Sequence, residues 1–346
     1  MQNAIATDLI FMRLTPKYLH QLKVTQEVAA NFWDQDITHL DKALSSIKVL
    51  NRTGSKIVCL LPEYESYPQC ICKVYFSGQG FQNELKGYQA AQSFKPIENI
   101  SVPAIIKFLP EKNAIITEKR SLRDSRLDLL KCLNVNQTIS WQNVGRWLKN
   151  FHDSQVSSSP NDQFLEKKFD RLYQHLKKYG DLFTADEVSR IKKVVSSAQS
   201  FIGGHAQEWV ISHGDFGLGN IKTSRSTTYV IDFENVTMTP RGYEMVKFLS
   251  GLQSTIYFLF RENRYESLAQ AVLNGYGTMI EPNTLNIFFY LLTKIDMIAK
   301  YSQHIAAPGL RIDKPFYALM RKSLIASLPQ WLEHVEDQIV FSYQPA

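Results

Sequence analysis

Cysteine is scarce in this 346-residue chain, with only Cys59, Cys70, Cys72 and Cys132 present. Thiols this few and this unevenly placed do not build a disulfide framework, and without a second ligand pair they do not suggest a metal site. Free thiols in a reducing compartment are the expectation. Long apolar runs are missing as well: no segment reaches the ~20 consecutive apolar residues that a bilayer-spanning helix needs. Residues 1–19 lack the basic start and sustained apolar stretch of a secretory signal, so a cytoplasmic protein is expected. There is no internal repeat and no low-complexity tract. Basic and aromatic residues do not interleave in one strand-like pattern, and the net charge of +6 is modest, so nucleic acid is not an expected partner.

What is present is a composition 44% hydrophobic, enough for a sizeable core and for two lobes. Residues 1–46 are mixed, with patches of helical spacing, and read as a leading segment packed on the first lobe. That lobe, residues 47–120, is β-rich, with strand-like runs at 47–50, 56–61, 69–76, 102–108 and 114–117. Residues 121–346 are mostly helical by period. Val144, Trp147, Leu148 and Phe151 repeat at i, i+3, i+4 and i+7, a buried face ending beside His152. Phe169, Leu172, Tyr173 and Leu176 form another stripe. The basic run beside it (Lys167, Lys168, Arg171, Lys177 and Lys178) reads as a solvated face, with an anionic-substrate site as the alternative.

Residues 209–234 carry the chemistry. An apolar run, Trp209-Val210-Ile211, breaks into a loop with His213, Gly214 and Asp215, and Asn220 comes five residues after the aspartate. A second apolar run, Tyr229-Val230-Ile231, delivers Asp232, Phe233 and Glu234. Taken singly, Asp215 and Asn220 read as turn residues and Asp232 as a strand-end cap. Together, in this order, they suit phosphoryl transfer, which needs a carboxylate beside an attacking hydroxyl and oxygen ligands for Mg²⁺.

HGDxxxxN succeeded by IDFE resembles the aminoglycoside phosphotransferase and choline kinase superfamily. The resemblance implies an α+β, two-lobed, protein-kinase-like fold and an ATP- and Mg²⁺-dependent kinase acting on a small-molecule hydroxyl. It implies that Asp215 is the base or orienting group and that Asn220 and Asp232 hold the metal. Lys73, on a strand, would contact the nucleotide phosphates and pair with Glu84 on the next helix. The hairpin turn ending at Ser55 would offer backbone N–H groups to phosphate, the alternative being a plain turn. The backbone around Glu118, Lys119 and Arg120 would meet the adenine, where the chain passes from lobe to lobe. His213 and His152 would be structural, and Gly214 would allow the backbone bend that aims Asp215. In one departure, Glu244 stands where the superfamily usually has Asp. A non-catalytic nucleotide-binding or scaffold protein is the alternative function. A protein kinase fits less well, given the HGD spelling and the lack of an APE-type segment. Overall positive charge tilts slightly against a polycationic aminoglycoside acceptor.

Overall fold

The computed structural model describes residues 16–34, 41–124, 140–158, 162–204, 208–224, 227–260, 263–277, 284–307 and 314–342; Cys132 lies outside them. The chain forms two compact units. The first takes the described residues of Met1–Leu85 and Pro103–Ser121, and the second those of Lys86–Val102 and Leu122–Ala346. Residues 86–102, grouped with the β-rich lobe by their sequence position, therefore group with the second unit instead.

The first unit is built on five strands: β1 (Lys48–Arg52), β2 (Lys56–Leu61), β3 (Cys70–Tyr75), β5 (Ile105–Leu109) and β6 (Ala114–Glu118). They form one antiparallel sheet in the order β1-β2-β3-β6-β5. Helices α1 (Pro16–Trp33) and α2 (Asp41–Ser45) precede it. Val28, Phe32 and Trp33 of α1 and Leu44 of α2 join Ile57, Leu61, Cys70, Cys72 and Val74 in one core. Helix α3 (Gly78–Gln92) starts in this unit. Cys59, Cys70 and Cys72 are buried free thiols. Burial pushes the thiols of Cys59 and Cys70 up to about 12, so they stay protonated and inert.

The second unit holds two small sheets. One runs β4 (Ile100–Ser101), β11 (Thr227–Val230), β10 (Ile221–Ser224) and β7 (Arg123–Asp124). The other runs β12 (Thr237–Pro240), β9 (Trp209–Ser212) and β8 (Val156–Ser157). Its helices are α4 (Trp141–Asp153), α5 (Asp162–Tyr179), α6 (Ala185–Gly204), α7 (Arg241–Phe260), α8 (Asn263–Tyr276), α9 (Thr284–Ala306) and α10 (Lys314–Ser342). The stripe on α4 is buried as its spacing predicts: Val144, Trp147, Leu148 and Phe151 are at most 2% exposed. Ser140 caps that helix, its side chain accepting from the Asn143 N–H. Phe288, Leu291, Leu292 and Ile295 of α9 meet Leu165, Phe169, Leu172 and Leu176 of α5 in the larger core.

Glycine brings α4 and α8 together. A Cβ on Gly145 would lie 2.0 Å from the Val272 carbonyl oxygen, and one on Gly275 would lie 1.8 Å from that of Gln142. Both obstacles are backbone and cannot swing aside. Gly145→Ala is therefore expected to lower stability by about 1–3 kcal/mol despite alanine's better helix propensity. Gly251→Ala in α7, where no atom lies within 4 Å, is expected to raise it. Paired thermal melts check the opposite signs.

Candidate active site

Strand β9 and the loop after it carry His213, Gly214 and Asp215. Gly214 has φ +80, and a Cβ there would meet the Asn235 carbonyl oxygen at 2.0 Å. Glycine is thus required both by conformation and by space. The turn is braced from behind by Glu244, in the first turn of α7. Its Oε2 accepts from the His213 N–H at 2.8 Å, and its Oε1 from the Gly214 N–H at 2.6 Å. His152, at the end of α4, donates from Nε2 to Glu244 Oε2 at 3.1 Å. At 2.7 Å its Nδ1 meets the Tyr276 hydroxyl, whose pKa burial lifts to about 12. Burial works against charge on Glu244, yet the hydrogen bond from His152 and the nearness of His213 outweigh it and hold the carboxyl below its ordinary 4.5. The glutamate thus accepts from both N–H groups at the start of the loop.

His213 joins this loop to the next. Its Nε2–H donates to the Ile231 carbonyl at 3.0 Å, immediately before Asp232. Phe216 and Phe233, each next to one of the two aspartates, are buried against α4: Trp147 stacks on Phe216 at 5.7 Å and Phe151 on Phe233 at 5.8 Å. Burying each ring is worth about 1.5–3 kcal/mol. The aromatics pin both loops while the carboxylate of Asp215 stays exposed.

Asp215 is 57% exposed at its side chain. Asn220 Nδ2 donates to its Oδ2 at 3.0 Å and to its backbone carbonyl at 2.9 Å, so the amide oxygen of Asn220 is turned to other use. The Ile231 N–H donates to the Asn220 carbonyl at 3.0 Å, continuing the β10–β11 register. Asn220 and Asp232 accordingly sit at the same end of that hairpin. Asp232 itself has φ +74, a left-handed conformation uncommon outside glycine and characteristic of functional positions. Among the described residues no group of three or more His, Cys, Asp or Glu could hold a metal alone. Two oxygen donors on a hairpin end fit Mg²⁺, which keeps waters and takes its remaining ligands from substrate phosphates.

In the first unit, Lys73 Nζ lies 2.6 Å from Glu84 Oε1, and the glutamate side chain is 0% exposed. Strand β3 and helix α3 are thus linked by a buried ion pair, while Glu84 Oε2 is buried with no hydrogen-bond partner among the described residues. The turn before β2 is less open than its sequence suggests. The Thr53 hydroxyl already receives the Ser55 and Lys56 N–H groups at 3.3 and 3.1 Å, in the place an anion would take. Glu118 ends β6, with Oε1 accepting from the Ala104 N–H at 3.0 Å and Oε2 2.5 Å from Arg120. Lys119 donates to Gln69. These three side chains are engaged with protein.

Beside Asp215 the second unit opens a cavity of about 450 Å³. Sequence reasoning missed most of its wall. Lys247 of α7 donates to the Gly214 carbonyl at 2.9 Å and lies 3.4 Å from Asp215 Oδ1. Arg171 donates from Nε to Asp296 Oδ1 at 2.8 Å. His175 Nε2 lies 2.9 Å from the same oxygen, within ion-pair range but off hydrogen-bond geometry. The basic run on α5 is therefore not wholly a solvated face. Lys168, Arg171 and His175 recur at i, i+3 and i+7, spacing that places them on one side of the helix and was legible in advance.

Residues 126–267 match the family model described as choline/ethanolamine kinase, a span that includes Asp215, Asn220, Asp232 and Glu244. No curated protein matches the chain in sequence. A solved choline/ethanolamine kinase family protein from Mesorhizobium loti superposes with TM-score 0.57 at 12% identity, covering 92% of this chain and 98% of that one. The fold is that of a small-molecule kinase. An ADP-bound aminoglycoside phosphotransferase, APH(2'')-Ib, superposes at 0.51 with 15% identity, covering 84% of this chain and 97% of that one. For a Plasmodium vivax ethanolamine kinase the values are 0.50, 16%, 84% and 86%. The kinase fold bears out the α+β, protein-kinase-like fold class, and with the family-model match it bears out the resemblance. Together the kinase fold and the family match support a small-molecule phosphotransferase.

Proposed function

We propose that this protein is an ATP- and Mg²⁺-dependent phosphotransferase that moves the γ-phosphate to a hydroxyl of a small molecule. The observation that carries the reading is Asp215: an exposed carboxylate at a cavity wall, fixed by Asn220 and carried on a loop that Glu244 braces through its backbone. An acceptor hydroxyl in the cavity would donate to Asp215, which would orient it and take its proton as the new O–P bond forms and the bond from the γ-phosphate to the departing ADP breaks. Lys247 places positive charge beside that carboxylate. Asn220 and Asp232 would hold Mg²⁺ through oxygen. When bound, the ion would supply positive charge that offsets the negative charge of the nucleotide phosphates. Lys73, kept in place by Glu84, would contact the nucleotide phosphates, and the backbone around Glu118, Lys119 and Arg120 would meet the base. Catalysis would come mostly from positioning and charge neutralisation. Among the described residues no helix is long and apolar enough to cross a membrane, and inert buried thiols suit a reducing cytoplasm.

Calorimetry with ATP tests the nucleotide half of this reading. Wild-type protein is expected to bind ATP more tightly with Mg²⁺ than without. Asp232→Ala should weaken the Mg²⁺-dependent component at least about tenfold, by loss of a direct ligand. Lys73→Met should weaken binding with and without metal. A Mg²⁺-dependent component unchanged by Asp232→Ala would remove Asp232 from the site, and binding unchanged by Lys73→Met in both conditions would remove Lys73.

A further inference from the structure

We infer that the acceptor is an anionic polyhydroxy compound, a sugar or polyol bearing a phosphate monoester or a carboxylate, rather than an amine or quaternary ammonium alcohol. This inference rests on the phosphotransfer reading and concerns the cavity beside Asp215. Its volume of about 450 Å³ suits a molecule of that size. Its charge decides the class. Three cationic side chains, Arg171, Lys247 and Lys300, line it against two carboxylates, Asp215 and Asp296. Asp296 is committed to Arg171 and His175, and Asp215 already faces Lys247. Among the described residues, each carboxylate of the wall thus already has a cationic neighbour. Lys300 is exposed and makes no ion pair among the described residues, so it is available to an anion.

The aromatic groups point the same way. Recognition of a quaternary ammonium needs open ring faces. Tyr243, in the cavity wall, already has Lys168 Nζ 4.7 Å from its ring centroid. Phe216 is stacked on Trp147. Burial, together with Arg171 and Lys247 nearby, lowers the pKa of Lys168 to about 8, so the cations on this side repel one another. Thr255, Thr293 and Gln303 supply neutral polar groups for hydroxyls along the same wall.

The test is calorimetry on the full-length protein with matched hexoses and pentoses, each supplied as the neutral sugar, the terminal phosphate, the terminal carboxylate and the amino sugar, with choline and ethanolamine alongside. At least one phosphorylated or carboxylated member is expected to bind about tenfold or more tightly than its neutral and amino counterparts. The two anionic arms tell phosphate from carboxylate. Lys300→Glu should erase the preference without changing the melting temperature, and added salt should weaken wild-type binding. Equal or tighter binding of the ammonium compounds, or no binding of any anionic member, overturns the inference. The same panel with Mg²⁺ and ATP, read as ADP release, separates the two readings. Turnover of ammonium alcohols alone keeps the kinase and sinks the anionic acceptor. Anion binding that Lys300→Glu abolishes, with no turnover of any member, supports the anionic site and counts against phosphotransfer.

Discussion

Asp215→Ala is expected to remove acceptor-dependent ADP release, with kcat falling about 10²- to 10⁴-fold, while Mg²⁺-nucleotide affinity stays within about threefold. The separation comes from where the side chain sits. Its carboxylate is more than half exposed and lines the cavity, so truncation leaves no buried charge behind. The backbone contacts that shape the loop, from Glu244 to the N–H groups of His213 and Gly214, do not involve that carboxylate. Asn220 keeps its bond to the Asp215 carbonyl oxygen. The loop should therefore hold its form and lose only the group that handles the hydroxyl proton. Asp215→Asn sharpens the test, since it keeps size and polarity but cannot take a proton. Near wild-type turnover by either variant would exclude Asp215 as the base.

Glu244→Ala should be the most damaging substitution for stability, costing about 3–5 kcal/mol, because it strips the acceptor from three donors at once, two of them buried and one half-buried. Those donors are the N–H groups of His213 and Gly214 and Nε2 of His152. The side chain is 1% exposed, so water cannot substitute for it. Glu244→Asp, a methylene shorter, should recover part of the loss if the backbone contacts dominate. The pH dependence has a definite sign. The folded-state pKa lies below 4.5, so the unfolded chain binds the proton first and the stabilisation is complete above about pH 4.5. It is lost as the pH falls through the lower folded value. Acid melts of wild type should steepen in that window, and the Glu244→Ala melts should not show this component.

The order of elements and the catalytic words were legible because they depend on local pattern. Phe216 and Phe233 could be placed beside the two aspartates from the sequence, and the α4 stripe that receives them shows the 3.6-residue period plainly. Lys73 and Glu84 were recognisable from strand, spacing and helix, and they meet. The cavity wall was not legible. Lys247, Asp296 and Lys300 come from α7 and α9, and nothing local says that Asp296 turns toward Arg171 of α5. The bonding within the turn at Ser55 was not legible for a related reason. Thr53 satisfies the N–H groups itself, and a hydroxyl that competes with a ligand looks the same in sequence as one that does not. Residues 86–102 sort with the second unit because Gly87 lets α3 close on Phe233 and β4 pairs with β11, both long-range events.

Phosphorus NMR of wild-type protein with Mg²⁺, ATP and the matched acceptor panel tests the central claim most directly. The γ-phosphate signal is expected to give way to a phosphate monoester signal for at least one acceptor, and Asp215→Ala is expected to produce none. Inorganic phosphate as the sole product with every acceptor, or a monoester still formed by the variant, would contradict it.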